Sequence, residues 1–313
     1  MVAHQSLALS LIGLIKNWEG DYTEGARMIS QGLQVAREHE LMVPLLQNLF
    51  YYGVTLTGKG DYEQALSVLE EGLAFSAKVG AEVYSHRLLN SLGWLYLELG
   101  ALAPALDFNQ RGAEGARTRR HAETIANAEM NLADVFLVQG DLTLAYELLD
   151  GVYRVVKDPA TSPWNRFRYS THLFASMGEL WLARGDTAQA QEFANQCVEQ
   201  ATRINAPKYV VKGLRLQGDI AIARRQWDEA QRWLGQALPL AQTIGNPTQL
   251  WKTHLALGRL HTAAHQPDKA RQAYQAARNV IEHMKAHVQH PELLASLEHS
   301  ILFQEVYDLS MAN

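Results

Sequence analysis

The sequence predicts an all-α protein in which one helix-turn-helix hairpin is issued about seven times along 313 residues. Three observations carry that expectation. A turn signal recurs as Gly20-Asp21-Tyr22, Gly60-Asp61-Tyr62, Gly140-Asp141-Leu142 and Gly185-Asp186-Thr187. Small residues stand four places beyond the capping position at Gly25, Ala65, Ala105, Ala145, Ala190, Ala230 and Ala270, with gaps of 40, 40, 40, 45, 40 and 40. Twelve residues before each of these stand Gly13, Gly53, Gly93, Ala133, Gly178, Gly218 and Gly258, so two ladders share one register. Repetition at this period marks an array of stacked units rather than one globular core.

The small residues have a physical reason. A glycine inside a helix costs roughly 1 kcal/mol relative to alanine, so its recurrence implies that two backbones must approach closely. Large residues fill the intervening space: Tyr22, Tyr62, Leu102, Leu142 and Trp227 follow the capping position. The turn glycines suit a left-handed conformation at the end of a helix. The aspartates that follow are expected to cap the next helix through its free amides, at about 1 kcal/mol each.

Taken in order, the repeats are expected over residues 3–39, 41–79, 81–118, 120–157, 165–204, 207–244 and 247–288. Pro104 suits a helix start. The one break in register is five extra residues around Asp158-Pro159-Ala160-Thr161-Ser162-Pro163-Trp164, where two prolines predict a loop. The sixth and seventh repeats replace Gly-Asp with Arg225-Gln226 and His265-Gln266, and Pro267 takes a first helical turn. Pro207 and Pro247 occupy equivalent loop sites. Pro239 falls within an expected second helix and predicts a kink. A final helix over residues 291–309 is expected to cap the last repeat, within a single domain spanning the chain.

The order of large and small places resembles the tetratricopeptide repeat, in which a small residue is followed three places later by an aromatic, then by glycine, aspartate, tyrosine and another small residue. Tyr96, Phe136 and Trp181 match the aromatic place; Lys16, Leu56, Ala221 and His261 depart from it. That family usually repeats every 34 or so residues. The 40-residue unit here is similar to the longer variant of bacterial signal-transduction ATPases of the maltose-regulator type and of cell-polarity scaffolds. The resemblance implies a right-handed α-solenoid whose first helices line a concave groove through their second, fifth and ninth places.

Those places give Gln47, Phe50 and Val54; Arg87, Asn90 and Trp94; Asn127, Met130 and Asp134, with Asn131 adjacent. Further along they give His172, Ala175 and Glu179; Lys212, Arg215 and Asp219; Lys252, Leu255 and Arg259. Amide side chains both donate to and accept from a peptide backbone, and the late cations suit carboxylates, so a protein or peptide partner with an acidic end is expected. The bland alternative is a solvated face with self-paired charges, for example Arg215 with Asp219. A second candidate surface is apolar: Leu7, Leu11, Leu14, Phe50, Tyr51 and Val54 suggest a homodimer or contact with an upstream domain.

Composition narrows the classes. There are 28 Lys and Arg against 33 Asp and Glu, a net charge of −5, which argues against wholesale phosphate binding. The basic run Arg117 to His121 suits a helix C-terminus. The lone Cys197 suits buried packing and a reducing cytoplasm. The apolar run Leu7 to Ile15 is too short to span a membrane. His283, His287 and His290 share a helical face, yet they lack the cysteine or glutamate partners of a zinc site and read as solvated. With no phosphate-cradling, nucleophile-elbow or paired-cysteine motif, neither enzyme activity nor a cofactor or metal is expected. The expected function is therefore a peptide-binding adaptor or regulatory module; the alternatives are a metabolite-sensing segment of a bacterial regulator and a structural homodimer.

Overall fold

The computed structural model describes residues 1–161 and 163–311, with residues 163–165 described by backbone alone. Among the described residues there are sixteen helices and no strand. Seven hairpins account for fourteen of them: α1 (Val2–Trp18) with α2 (Tyr22–Glu38), α3 (Met42–Lys59) with α4 (Tyr62–Lys78), and α5 (Glu82–Glu98) with α6 (Leu102–Thr118). Next come α7 (Ala122–Gln139) with α8 (Leu142–Lys157), and α9 (Pro163–Ala183) with α10 (Thr187–Arg203). The last pairs are α11 (Pro207–Ala223) with α12 (Trp227–Ile244), and α13 (Pro247–Ala263) with α14 (Pro267–Ala286).

The chain forms two compact units, Met1–Asn131 with His287–Leu297, and Leu132–Ala286 with the residues from Glu298 onward. The division falls inside α7 and not at the proline-rich break. That break is short: α8 ends at Lys157 and α9 begins at Pro163. Asp158 nucleates the turn, its Oδ1 accepting from the Ala160 amide at 2.8 Å and its carbonyl from Thr161 at 3.0 Å. Ser162 and the side chains of Pro163 and Trp164 lie outside the described residues.

Turn chemistry follows the sequence with one exception. Gly20, Gly60, Gly140 and Gly185 adopt φ of 82°, 92°, 79° and 81°, the left-handed conformation that a side chain disfavours. Arg225 and His265 hold the same conformation at φ 59° and 56° without glycine, so the hairpin closes there despite the missing signal. Asp21, Asp141 and Asp186 cap α2, α8 and α10 by accepting main-chain amides at 3.0–3.1 Å. Asp61 does not cap. Lys59 Nζ reaches its Oδ2 at 2.7 Å and takes the carboxylate instead. Pro239 sits inside α12, which continues through it to Ile244.

The small residues lie where the two helices of a hairpin cross. A Cβ built on Gly93 would come within 2.1 Å of Asn109 Nδ2, and on Gly53 within 2.4 Å of Leu69 Cδ2. On Gly218 it would meet Leu234 Cγ at 2.6 Å, and on Gly258 Tyr274 Cε1 at 2.2 Å. In each case the neighbour stands sixteen residues on, so absent and large side chains interlock at a fixed interval. Gly178 is filled differently. Its equivalent partner is the small Ala194, and Leu216 of α11 closes the space at 2.4 Å.

The carboxyl end departs from the single capping helix expected over residues 291–309. It forms two helices, α15 (Pro291–Glu298) and α16 (Ile301–Met311), broken where Ser300 Oγ accepts the Phe303 amide at 3.4 Å. Only α16 caps the last hairpin: Phe303 and Val306 are buried, the Phe303 ring meets Trp251 edge-on at 5.5 Å, and Arg278 stacks on Tyr307 at 5.2 Å. Residues 287–297 belong to the first unit, where the Gln289 amide donates to Glu63 Oε2 at 2.8 Å.

Replacing Gly93 by leucine should displace Asn109 and destabilise the protein by about 1–3 kcal/mol through overpacking. Urea unfolding of the variant measures this. An unchanged midpoint would show that the crossing tolerates a side chain.

Candidate functional site

Helical geometry sorts the three places expected to line a groove. At about 100° per residue, the second and ninth places lie about 100–120° around the helix from the crossing glycine, whereas the fifth lies only about 60° from it. The fifth place is therefore drawn into the seam. Phe50, Asn90, Met130, Ala175, Arg215 and Leu255 are all buried. The second and ninth places remain accessible: Gln47, Arg87, Asn127, His172, Lys212 and Lys252, then Val54, Trp94, Asp134, Glu179, Asp219 and Arg259 are half-buried or exposed.

In the first unit the asparagines serve the fold. Asn90 Nδ2 donates to the Thr124 carbonyl at 3.0 Å, Asn131 Nδ2 to the Asn90 carbonyl at 3.2 Å and to Asn109 Oδ1 at 3.0 Å, and Asn109 Nδ2 to the Ala105 carbonyl at 2.8 Å. This lattice ties α5, α6 and α7 together, with Asn90 at 0% and Asn131 at 3% exposure. Their Nδ2 groups donate to protein and the side chains are buried in the seam, although Asn90 Oδ1 has no hydrogen-bond partner there. Arg87 stays on the accessible face, pairing with Glu123 at 2.9 Å and lying over Phe50 and Tyr84 at 5.9 and 6.0 Å. Trp94 Nε1 donates to Glu98 at 2.8 Å, and Asn127 is half-buried beside it in the register.

The apolar candidates divide as well. Leu14 and Phe50 are core at 3% and 5%, Leu7, Tyr51 and Val54 are half-buried, and Leu11 is 47% exposed. Sequence reasoning missed Ile12 and Ile15, which are 42% and 51% exposed on the same helix. Their signal was present in the register and was obscured by ranking all apolar residues of the run alike.

The second unit carries the charged part of the wall. Asp134 on α7 accepts from His172 Nε2 at 2.8 Å and from Ser176 Oγ at 2.6 Å, both on α9. Burial alone would raise this carboxylate, but His172, Lys212 and Ser176 outweigh it and hold the group well below the usual carboxylate range. Lys212 on α11 is 13% exposed and 3.9 Å from Glu179. Burial would lower its ammonium; Glu179 and Asp134 raise it above the ordinary lysine value, so it remains charged. Lys252 lies over the Trp251 ring at 5.4 Å. Sequence reasoning also missed Ser176, whose small hydroxyl looks unremarkable without the facing carboxylate.

Among the described ion pairs none joins Arg215 to Asp219. Arg215 is 6% exposed and donates through Nη1 to Gln249 Oε1 at 2.9 Å, and Arg259 pairs with Glu305. Both arginines that could neutralise Asp219 are thus turned to other partners. Burial pushes its carboxyl up to about 6, opposed by the more distant Arg215 and Arg259 and reinforced by Glu179. Cys197, at 0% exposure, directs its thiol to the Thr171 and Tyr209 carbonyls at 3.5 Å, and burial pushes it up to about 12.

Other expected features fall outside this wall. Arg117 pairs with Glu129 at 2.8 Å and Arg119 with Glu82, so the basic run is engaged on the surface. Among the described residues no group of histidine, cysteine and carboxylate side chains is placed to hold a metal ion, and no helix is long and apolar enough to cross a membrane. A shallow depression of about 480 Å³ lined by Trp227, Gln231, His261 and Lys269 lies at hairpin turns and contains no wall residue.

Comparison with known proteins agrees with this architecture. A sequence profile of the tetratricopeptide repeat matches residues 209–283. No curated protein matches the chain in sequence. Among solved structures, NprR in complex with its cognate peptide NprX is similar with a TM-score of 0.61 at 13% identity, covering 96% of this chain and 88% of that one. The apo form of the quorum sensor NprR from B. thuringiensis gives 0.54 at 16% identity, covering 96% and 88%. A Rap protein complexed with Competence and Sporulation Factor gives 0.59 at 11% identity, covering 91% and 80%. At such identities the likeness establishes the fold.

Two outcomes follow from the titrating groups. Because Asp219 keeps its proton in the folded state up to about pH 6 while the unfolded chain loses it near pH 3.9 or so, stability is lost as pH rises through that window. Asp219→Asn should therefore stabilise by on the order of 1 kcal/mol at pH 8 and by nothing near pH 3.5; equal gains at both pH values would contradict the assignment. Cys197 should react with a thiol reagent at least ~100-fold more slowly in the native protein than in urea, and a native rate matching the denatured one would show that the seam opens.

Proposed function

We propose that this chain, a stack of tetratricopeptide-type helical hairpins, is a non-catalytic adaptor or regulatory module that takes a protein or peptide along the accessible places of the first helices of its second unit. One observation carries the reading. Polar and charged side chains recur at the second and ninth places of successive first helices of the second unit, His172 and Glu179, Lys212 and Asp219, Lys252 and Arg259, and all of them remain accessible. Spacing of one helix per repeat suits an extended ligand whose successive residues meet successive helices. The solved structures of NprR with its cognate peptide NprX and of a Rap protein with Competence and Sporulation Factor support the same use of the fold.

The chemistry favours a ligand with an acidic segment. Lys212 is held charged within the second unit, and its ammonium is opposed by carboxylates at 3.9 Å or beyond, a separation that leaves donors for an incoming carboxylate. The half-buried setting strengthens such a contact relative to one in open solvent. A reduced, buried Cys197 supports a cytoplasmic setting. The first unit adds an interaction surface toward another polypeptide through its amino-terminal helices.

Fluorescence anisotropy with labelled ten-residue peptides of graded charge tests the wall directly. Acidic peptides should bind saturably, weaken with added salt, and lose about tenfold in affinity in a Lys212→Glu, Lys252→Glu variant, a loss of ~1.4 kcal/mol. Binding that ignores both salt and the double substitution would remove the wall from the mechanism. A single small metabolite that raises the melting temperature saturably while no peptide binds would select the metabolite-sensing alternative.

A further inference from the structure

The first helix has an apolar stripe that the repeat register assigns to a partner. Ala8, Leu11, Ile12 and Ile15 are exposed along one side of α1, the last three at 47%, 42% and 51%. The place of Ile15 is taken in later repeats by Thr55, Leu95, Val135, Leu180, Ile220 and Leu260, none more than 1% exposed. The place of Ala8 is taken by Asn48, Leu88, Ala128, Leu173 and Thr253, each at 0%, and by the buried Gly213. From the third repeat onward the places of Leu11 and Ile12 are buried too.

What covers those places elsewhere is the second helix of the preceding hairpin. Gly32 of α2 sits against Asn48, a Cβ there lying 2.6 Å from its Oδ1, and Gly72 of α4 sits against Leu88 at 3.0 Å. At α11 the sizes are exchanged, since Gly213 receives Val198 of α10 at 2.5 Å. The crossing therefore pairs one small residue with one larger one. Ala8 supplies the small member on α1, so the covering helix brings a Val-sized residue to that point.

We propose that this stripe is the docking surface for an amphipathic helix of a partner polypeptide, laid antiparallel to α1 as a preceding second helix would be. The proposal deepens the reading of the chain as an interaction module. A second copy is the poorer occupant on two counts. The last second helix, α14, is covered by α16 through Phe303 and Val306, which closes head-to-tail stacking. Two α1 stripes facing one another set Leu11, Ile12 and Ile15 against themselves, large side chain on large, where the crossing elsewhere pairs a small residue with a larger one.

The test supplies such a helix. Residues 187–206, which comprise α10 and the link that leads it onto α11, are placed before Val2 in place of Met1, matching the register in which residue 207 corresponds to residue 2. The extended full chain should melt several degrees above the parent. An Ile12→Lys, Ile15→Lys pair should abolish that gain while leaving the unextended chain within about a degree of the parent, as exposed positions do. An extended chain that melts like the parent, or a gain that survives both lysines, overturns the proposal. So does sedimentation of the unextended chain as a dimer that the lysine pair dissociates, because a second copy would then own the stripe. The graft reads α1 alone, so its failure leaves the anisotropy result on α9 to α13 standing by itself.

Discussion

The structure depends on close crossing of two helix backbones at a point where one of them lacks a side chain. At Gly13, Gly53, Gly93, Gly218 and Gly258 the neighbouring side chain occupies the space a Cβ would take. Each glycine weakens its own helix by roughly 1 kcal/mol, and the interlocking contact offsets that loss. The arrangement also sets orientation. With the crossing fixed, helical periodicity determines which residues face the hairpin partner, which face the adjacent repeat and which remain accessible.

Polar residues at the seams show how the rule accommodates chemistry. Asn90, Asn109 and Asn131 sit at crossing or near-crossing positions, where an apolar residue would pack as well by volume. Their Nδ2 groups donate to main-chain carbonyls and to one another, which compensates much of their burial, while Asn90 Oδ1 stays without a partner. Asp134, His172 and Ser176 do the same at the edge of the accessible face, with charge added. Asp219 is the exception. Its arginines make their hydrogen bonds to Gln249 and Glu305, and their charges offset only part of the burial of the Asp219 carboxylate.

Much of the fold was legible because the signals are local or strictly periodic. The turn glycines read as left-handed termini and are so; Gly13, Gly53, Gly93, Gly218 and Gly258 read as crossings and lie at them. The site was less legible. Reading the fifth place as accessible ignored that it stands only about 60° from the crossing, which is why Asn90 and Arg215 were assigned to a ligand. Asp61 read as a cap like its three counterparts, but Lys59 two residues before it competes for the carboxylate, and no propensity encodes that competition. The carboxyl end read as one helix because its apolar residues are continuous; the break at Ser300 follows from packing of α16 on α13 and α14.

By itself the amino-acid sequence determined the all-helical class, the number and register of the hairpins, and the close crossings at Gly13, Gly53, Gly93, Gly218 and Gly258. These follow from backbone sterics and side-chain volume, which a residue carries with it wherever it lies. Only the tertiary structure decided which carboxylate meets which cation, which asparagine is buried, and which apolar side chains of α1 are left uncovered. Those outcomes depend on partners thirty or more residues away, such as Gln249 for Arg215 and Asp134 for His172. A charged or apolar side chain can satisfy itself in several ways, and only the assembled neighbours select one.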